Sequence, residues 1–244
     1  MQQWQITEYE SIDSTNSALK RMTEAAHGTV ICSRVQTQGR GRLGRSFASE
    51  EGGLYLSVLL KRDEPPESLL HLTAMAAVAV RRAIMDACGL QTQIKWVNDL
   101  VCEGKKVCGI LTELAGQGRY IIGIGINCNT VEFAPELREI AESLCSFCGR
   151  VDIAHLRDAL IARLQELDRG LFSQKEAWMR EFSEHCLTVG KPVRLLRAGT
   201  CTEAFAEGVD ADGALLVRLA DGTRQTVSAG EVSVRGLYGY TSEK

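Results

Sequence analysis

The sequence predicts an α+β protein with a mixed or antiparallel central sheet, flanking helices and a small C-terminal β-barrel. Three runs rich in β-branched and aliphatic residues, 94–102, 106–114 and 119–127, are separated by short glycine-containing turns. Connections this short make neighbouring strands antiparallel, so the three runs predict a meander. After Gly190, short strands alternate with Asp-Gly turns, which is typical of a small barrel.

Periodicity and turn residues predict the remaining elements. Apolar residues that recur every three or four positions predict helices, and alternation of β-branched residues predicts strands. The helices are a short one capped by Asp13 or Ser14, two over 69–88 and 152–171, and one from a capping box at 173–176 to about 186. The other strands are 4–9, 29–35, 53–60, 193–196, 202–209, 215–219, 224–227 and 231–234. The change of texture after Gly190 predicts a domain boundary near 187–191, with a larger domain over 1–187 and a small domain over 188–244.

Composition and charge exclude several classes of protein. Of the 244 residues, 45% are hydrophobic and 24% are charged, which excludes collagen-like and disordered chains. The net charge of −3 argues against a dedicated nucleic-acid binder. The sequence has no secretory signal, and its most apolar run, 74–80, is too short to span a bilayer. Nine cysteines in such a chain favour reduced thiols, so we expect a cytoplasmic protein with no membrane partner.

The loop over residues 36–45 is the most unusual segment. It contains three glycines and three arginines and almost no apolar residue. Glycines let backbone N–H groups approach an anion, and guanidinium groups bind phosphate or carboxylate oxygens in pairs. A solvated flexible loop and a nucleic-acid patch are the alternatives, and the acidic net charge weakens the second. The loop is therefore a candidate site for a ligand that carries phosphate.

Polar residues also cluster on the first hairpin of the meander. The run 95–99 reads Lys-Trp-Val-Asn-Asp on a predicted strand, where polar groups are costly unless they have partners. A two-residue turn at 103–104 would place Lys106 beside Asp99, and a three-residue turn would place it beside Asn98. Either register sets a cation next to a polar group at one end of the hairpin. A polar, exposed sheet edge is the alternative interpretation.

Two motifs fail the test of their usual interpretation. Gly123-Ile-Gly125 suggests a dinucleotide-binding fingerprint, but the third glycine would fall at Cys128 and no helix is predicted to follow. Glycines within a strand more often mark the close approach of a ligand or of another backbone. The pair Cys145 and Cys148 has no second pair at zinc-site spacing, so we expect no metal site there.

Taken together and in this order, these segments resemble biotin protein ligases. The matching motifs are Ser14-Thr15-Asn16, Gln36 with 39–45, the run 95–99, the run 104–113, the run 123–129, and then the small barrel. The resemblance covers essentially the whole chain. It departs at Val97, where the family usually has proline, a position expected to shape the strand. The family's repressor members carry an N-terminal DNA-binding domain, for which the residues before Ser14 leave no room, so we expect the monofunctional form and no DNA partner.

The resemblance implies a catalytic domain similar to those of class II aminoacyl-tRNA synthetases and an SH3-like C-terminal domain. It implies that biotin and MgATP form biotinyl-5′-AMP, and that a lysine of a biotin carrier protein domain of a carboxylase then attacks this anhydride. The implied biotin contacts are Ser14, Thr15, Asn16, Gln36, Arg40, Gly41, Arg42 and Lys106. The implied nucleotide contacts are Arg40, Arg42, Asn98 and Asn127. The implied catalytic residues are Lys106, Arg42 and Asp99, with Asp99 either near Mg²⁺ or orienting the incoming amine.

Two alternatives stay open at this point. A lipoate-type ligase has a similar fold and chemistry, but the sequence lacks the arginine pair, glycine triplet and His-Asp expected of one. A non-catalytic module that binds biotin or nucleotide would have no need of Lys106 and Asp99. The edges of the predicted meander also leave a homodimer open.

Overall fold

The computed structural model describes residues 4–116, 118–197, 200–228 and 233–236. The strands are β1 (Gln5–Ile12), β2 (Thr29–Gln36), β3 (Gly53–Lys61), β4 (Gln93–Lys95), β5 (Asp99–Cys102), β6 (Lys105–Leu114), β7 (Arg119–Asn127), β8 (Pro192–Arg197), β9 (Thr200–Val209), β10 (Leu215–Leu219), β11 (Arg224–Val227) and β12 (Ser233–Gly236). The helices are α1 (Thr15–Arg21), α2 (Leu72–Cys88), α3 (Cys145–Cys148), α4 (Ile153–Gly170) and α5 (Lys175–Glu184). Short 3-10 helices cover 42–44, 66–69 and 135–137.

The strands of the described residues form two sheets. The larger one has seven strands in the order β1-β2-β3-β7-β6-β5-β4. Its β1 and β2 are parallel and its other neighbours are antiparallel, so the sheet is mixed. Strands β8 to β12 form a five-stranded antiparallel sheet in the order β11-β10-β9-β8-β12. The predicted α+β class is confirmed.

The two faces of the large sheet are packed differently. On one face, aliphatic side chains of β3 and β7 join the main core with α2, α4 and α5; examples are Leu56 and Ile124. The other face is covered in part by α1, whose Leu19 packs on Leu59 and Ile121 in a second, smaller core. No helix among the described residues covers the rest of this second face. It is the surface on which the site described below is built.

Helix α2 is a core helix. The sequence pattern predicted its end correctly, since Gly89 adopts the left-handed conformation with φ 66° and caps the helix. The segment Pro66–Cys88 is long and apolar enough to cross a membrane by composition, but 67% of its most apolar window is buried inside the protein.

The prediction of one strand over 94–102 is wrong. Strands β4 and β5 pair with each other, Lys95 opposite Asp99, and the residues between them form a turn. Trp96 is buried there and donates from Nε1 to the carbonyl of Gly213, in the turn between β9 and β10, at 2.8 Å. Val97 therefore lies in a buried turn, and not on a strand.

The capping box predicted at 173–176 is also absent. Gln174 precedes α5 without a side-chain capping bond. In contrast, the two-residue turn at Glu103 and Gly104 is confirmed. Both residues have positive φ, and Val101 pairs with Lys106 as that turn requires. The fifth strand of the small sheet covers 233–236, and residues 231–232 of the predicted strand 231–234 lie outside the described residues.

Candidate functional site

The open face of the large sheet has a floor made of glycine. Gly109 of β6 and Gly125 of β7 are cross-strand partners, and Gly123 lies in the next row on the same face. A Cβ atom on Gly109 or Gly125 would lie 2.9 and 2.5 Å from the ring of Phe47. A Cβ atom on Gly123 would collide with the Asn16 carboxamide. The glycines thus let side chains, or a ligand, rest directly on the backbone.

A cationic cluster borders this floor on the side of β5. Asp99 pairs with Gly109, and its Oδ1 lies 2.7 Å from Lys106 Nζ. The Lys106 ammonium is also 5.7 Å from the centroid of the Phe47 ring. For a two-residue turn, the sequence predicted Lys106 on the same face as Asp99, as its diagonal neighbour. The structure has that turn, and a register shift between Leu100 and Val101 places Asp99 opposite Gly109.

The basic loop supplies a second cation to the same cluster. Arg42 donates from Nη1 to Asn98 Oδ1 at 2.9 Å, and Asn98 donates from Nδ2 to the Ile110 carbonyl at 2.9 Å. Burial lowers the pKa of Arg42, although the negative charge of Asp99 opposes that effect. The turn at residues 41–45, which carries Arg42, is closed by a hydrogen bond from Gly41 N to the Arg45 carbonyl at 2.7 Å. Two cations, Arg42 and Lys106, therefore converge on one side of the floor.

Neutral hydrogen-bonding groups occupy the opposite side of the floor. Thr15 N and Gln36 Oε1 are 2.8 Å apart, and Gln36 Nε2 donates to Ser49 Oγ at 2.8 Å. Ser57 Oγ lies 2.6 Å from both Thr15 Oγ1 and Asn16 Oδ1. Sequence reasoning missed Ser57 and Ser49. Ser57 is fully buried and directly opposite Gly123 in the β3–β7 pairing, so strand register is the signal that could have found it.

Ser14, unlike Thr15 and Asn16, uses its side chain to cap helix α1. Its side chain accepts from Ser17 N at 3.4 Å and caps α1. Asn16, which is 4% exposed, uses both amide hydrogens within the protein, on the Leu111 carbonyl at 3.3 Å and on Glu113 Oε2 at 2.9 Å. These two residues build the neutral side of the site.

Glu113 lies at the edge of the neutral side and pairs with two cationic side chains. Its carboxylate lies 2.7 Å from Lys20 Nζ and 3.4 Å from Arg40 Nη2, and it accepts the bond from Asn16. Burial raises the pKa of Glu113, but the bonds from Lys20 and Asn16 and the charges of Lys20 and Arg40 outweigh burial, so its pKa lies below the ordinary value. Arg40 therefore points to a different partner from Arg42.

Asn127 lies outside the cationic cluster. On β7 it lies two residues after Gly125 and on the same face. It lines a pocket together with Tyr55, which is the cross-strand partner of Gly125. Its Nδ2 donates to the Glu142 carbonyl at 3.2 Å. The residues around this pocket are Ala48, Glu50, Tyr55, Asn127, Thr130, Glu132, Phe133 and Ala134.

Glu113→Gln should destabilise the protein at pH 7, and the difference from wild type should shrink as the pH falls. A carboxylate whose pKa is lowered by folding contributes stability above its unfolded pKa and loses it as the pH falls through the folded value. Urea unfolding at pH 7 and near pH 4 measures both differences. Exposed Glu184 provides the control substitution Glu184→Gln. A Glu113→Gln deficit that is equal at both pH values would contradict the assigned role of the charge.

Comparison with known proteins gives consistent matches over both sheets. Residues 8–129 match the biotin/lipoate A/B protein ligase family, and residues 188–235 match the biotin protein ligase C-terminal domain. The bifunctional ligase/repressor of Bacillus subtilis is 36% identical over 84% of this chain, which spans 66% of that protein's length. The biotin–[acetyl-CoA-carboxylase] ligase of Paracoccus denitrificans is 32% identical over 92% of this chain and 98% of its own length. The solved structure of biotin protein ligase from Aquifex aeolicus in complex with biotin and ATP superposes with a TM-score of 0.85 at 31% identity, and covers 95% of this chain and 99% of that one.

Proposed function

Because the chain belongs to the biotin/lipoate A/B protein ligase family, we propose that it activates biotin with ATP as biotinyl-5′-AMP and transfers the biotinyl group to a carrier protein lysine. The observation that carries this proposal is a glycine floor with neutral hydrogen-bonding groups on one side and two cations on the other. Biotin has the same distribution, with an uncharged urea ring at one end and a carboxylate at the other. The acceptor we propose is the biotin carrier domain of a carboxylase, and the location is the cytoplasm.

We assign the urea ring of biotin to the neutral side of the floor. Thr15 and Gln36 contribute neutral donors and acceptors there, which suit an uncharged urea. Ser14 and Asn16 support this side through the α1 cap and the contact with Gly123. A dithiolane ring has no hydrogen-bonding groups to satisfy these side chains, so the arrangement favours biotin over lipoate.

We assign the carboxylate of biotin and the α-phosphate of ATP to the cationic side. In the first step a carboxylate oxygen forms a bond to the α-phosphorus, and the bond to the pyrophosphate leaving group breaks. The approach joins two anions, so preorganised cations lower its free energy. Lys106, held by Asp99, and Arg42, held by Asn98, are the residues we propose for this task.

We propose that the basic loop closes over the adenylate after it forms. Acyl-adenylates hydrolyse readily, so a cover that excludes water preserves the intermediate. Arg40 is 45% exposed and has a long contact to Glu113, so it can exchange this partner for a ligand anion with little loss. Gly41 allows the turn between Arg40 and Arg42 to approach the ligand. In the second step the carrier lysine nitrogen attacks the acyl carbon, and AMP leaves.

The site suits magnesium that arrives with the nucleotide. Among the described residues, no group of three or more His, Cys, Asp or Glu side chains could hold a metal ion. Mg²⁺ commonly binds through one or two carboxylates together with substrate phosphates, and Asp99 beside the cationic cluster fits that pattern. When bound, Mg²⁺ would neutralise phosphate charge. Asp99 can instead orient the incoming lysine amine, and the pocket at Asn127 is our candidate for the nucleotide base or ribose.

We also propose a division of the chain at residue 188. The match to the biotin protein ligase C-terminal domain starts at that residue, and the five-stranded sheet follows it. The catalytic domain would then cover 1–187 and an SH3-like domain 188–244. The bond from Trp96 to Gly213 ties the small sheet to the turn that carries Asn98, which supports a role for this sheet in keeping the cationic side in place.

A pyrophosphate-release assay tests the proposed function directly. The protein is incubated with MgATP and biotin, lipoate or no acid. Release that depends on biotin, followed by transfer to a carrier domain, is the expected result. Release with lipoate alone would favour a lipoate ligase, and binding without release would favour a non-catalytic module. Either of these results would overturn the proposal.

Lys106→Ala and Arg42→Gly should fail in different steps. Loss of Lys106 removes charge neutralisation in the transition state, so adenylate formation should slow about 10²–10³-fold. Loss of Arg42 should mainly loosen the cover, so adenylate should form but escape and acylate bystander lysines. Single-turnover measurement with a non-substrate protein as a trap resolves both steps. Normal adenylate formation by Lys106→Ala, or tight retention by Arg42→Gly, would disprove this division.

A further inference from the structure

Groups of fixed polarity determine the direction of every hydrogen bond on the neutral side of the site. The Leu111 carbonyl and the Glu113 carboxylate only accept, so the Asn16 carboxamide must turn its NH₂ group to them. Its oxygen then faces Ser57 at 2.6 Å. A carboxamide oxygen only accepts, so the single proton of Ser57 is used on Asn16.

This assignment leaves one arrangement for Thr15. Ser57 Oγ lies 2.6 Å from Thr15 Oγ1, a distance that requires a proton between the two oxygens. Since Ser57 donates its only hydroxyl proton to Asn16 Oδ1, Thr15 must donate to Ser57. At the other end, the Thr15 hydroxyl also lies 3.1 Å from Gln36 Oε1, but that oxygen already accepts from Thr15 N at 2.8 Å. The shorter 2.6 Å contact cannot exist without a proton between its two oxygens, so the Thr15 proton is directed to Ser57.

We propose that Ser57 is a positioning residue that, anchored by Asn16 and Glu113, fixes Thr15 Oγ1 as a hydrogen-bond acceptor for an N–H group of the bound ring. The inference rests on the proposed function, because it places the ring end of biotin beside Thr15. Ser57 is fully buried beneath the site and so acts through Thr15. The low pKa of Glu113 supports the arrangement, since an ionised carboxylate cannot donate a proton and reverse the chain.

This arrangement makes the site selective for a ring with N–H donors. A urea offers two N–H groups. Because the Thr15 proton is directed to Ser57, Thr15 Oγ1 is available to accept a hydrogen bond from one of them. A ring that presents an acceptor at the same place would leave two acceptors facing each other. The cost of burying such an unsatisfied pair exceeds the gain of a neutral hydrogen bond.

A double-mutant cycle between Ser57→Ala and Thr15→Val tests the proposal with biotin as the probe. Calorimetric titration of the full chain gives Kd for the wild type, both single variants and the double variant. Each single variant should weaken binding about threefold to tenfold, the value of one neutral hydrogen bond. In the Thr15→Val background, Ser57→Ala should change Kd by less than about twofold, because the hydroxyl through which it acts is gone.

Ser33→Ala is the matched control. Ser33 is a buried serine of β2 whose hydroxyl donates to the Val35 carbonyl at 2.7 Å, apart from the chain described above. It should leave Kd near the wild-type value in both backgrounds, and urea unfolding verifies that every variant is folded. If Ser57→Ala does not fold, Ser57→Cys keeps the volume, replaces the hydroxyl by a weak donor and should give the same pattern.

The outcomes separate this inference from the function on which it rests. Equal weakening by Ser57→Ala with and without the Thr15 hydroxyl would show a general structural role and overturn the inference alone. Wild-type affinity in Ser57→Ala would do the same. A wild-type protein that binds no biotin would overturn the proposed function, and the inference with it.

Discussion

The site depends on the absence of side chains at three positions of one sheet face. Gly109, Gly125 and Gly123 form a bare patch of backbone on which Phe47 and Asn16 now rest. The opposite face of the same strands is packed against helices with aliphatic side chains, so the strands stay fixed although this face contributes little packing. Because the packed helices hold these strands in place, the glycine floor is a fixed backbone surface on which a ligand's ring and aliphatic side chain can lie.

Each cation of the site is held by a polar partner, and two of these partners are carboxylates. Lys106 pairs with Asp99 and Arg40 with Glu113, whereas Arg42 bonds to the neutral Asn98 and is attracted by the charge of Asp99. Without these partners, three cations close to one another would repel and would destabilise the fold. The partners differ in strength: the Lys106 contact is 2.7 Å and the Arg40 contact is 3.4 Å. An incoming anion can therefore draw Arg40 away easily, while Lys106 remains in its place.

The sequence was sufficient for the parts of the site that are set by local chain geometry. The two-residue turn at Glu103 and Gly104 sets the pairing of Val101 with Lys106, so the position of Lys106 beside Asp99 could be predicted. The register shift between Leu100 and Val101, which puts Asp99 opposite Gly109, could not. The turn at Trp96 could not, because Trp96 bonds to Gly213, far along the chain, and local periodicity carries no trace of that contact. Ser57 was missed for a related reason: a single serine in an apolar strand has no distinctive spacing, and its position opposite Gly123 becomes visible only when the strands are paired.

The most direct test of the account is the affinity of Gly125→Ala for biotin. The added Cβ would meet the Phe47 ring, which can move aside, so the variant should fold, but the methyl group would stand where the ligand should lie. Overpacking of this kind costs about 1–3 kcal/mol, so Kd should rise about fivefold to a hundredfold. Gly208→Ala in β9, where the nearest atom outside the local chain is 3.9 Å away, should leave Kd unchanged. Wild-type affinity in Gly125→Ala would contradict the claim that the glycine floor is the biotin site.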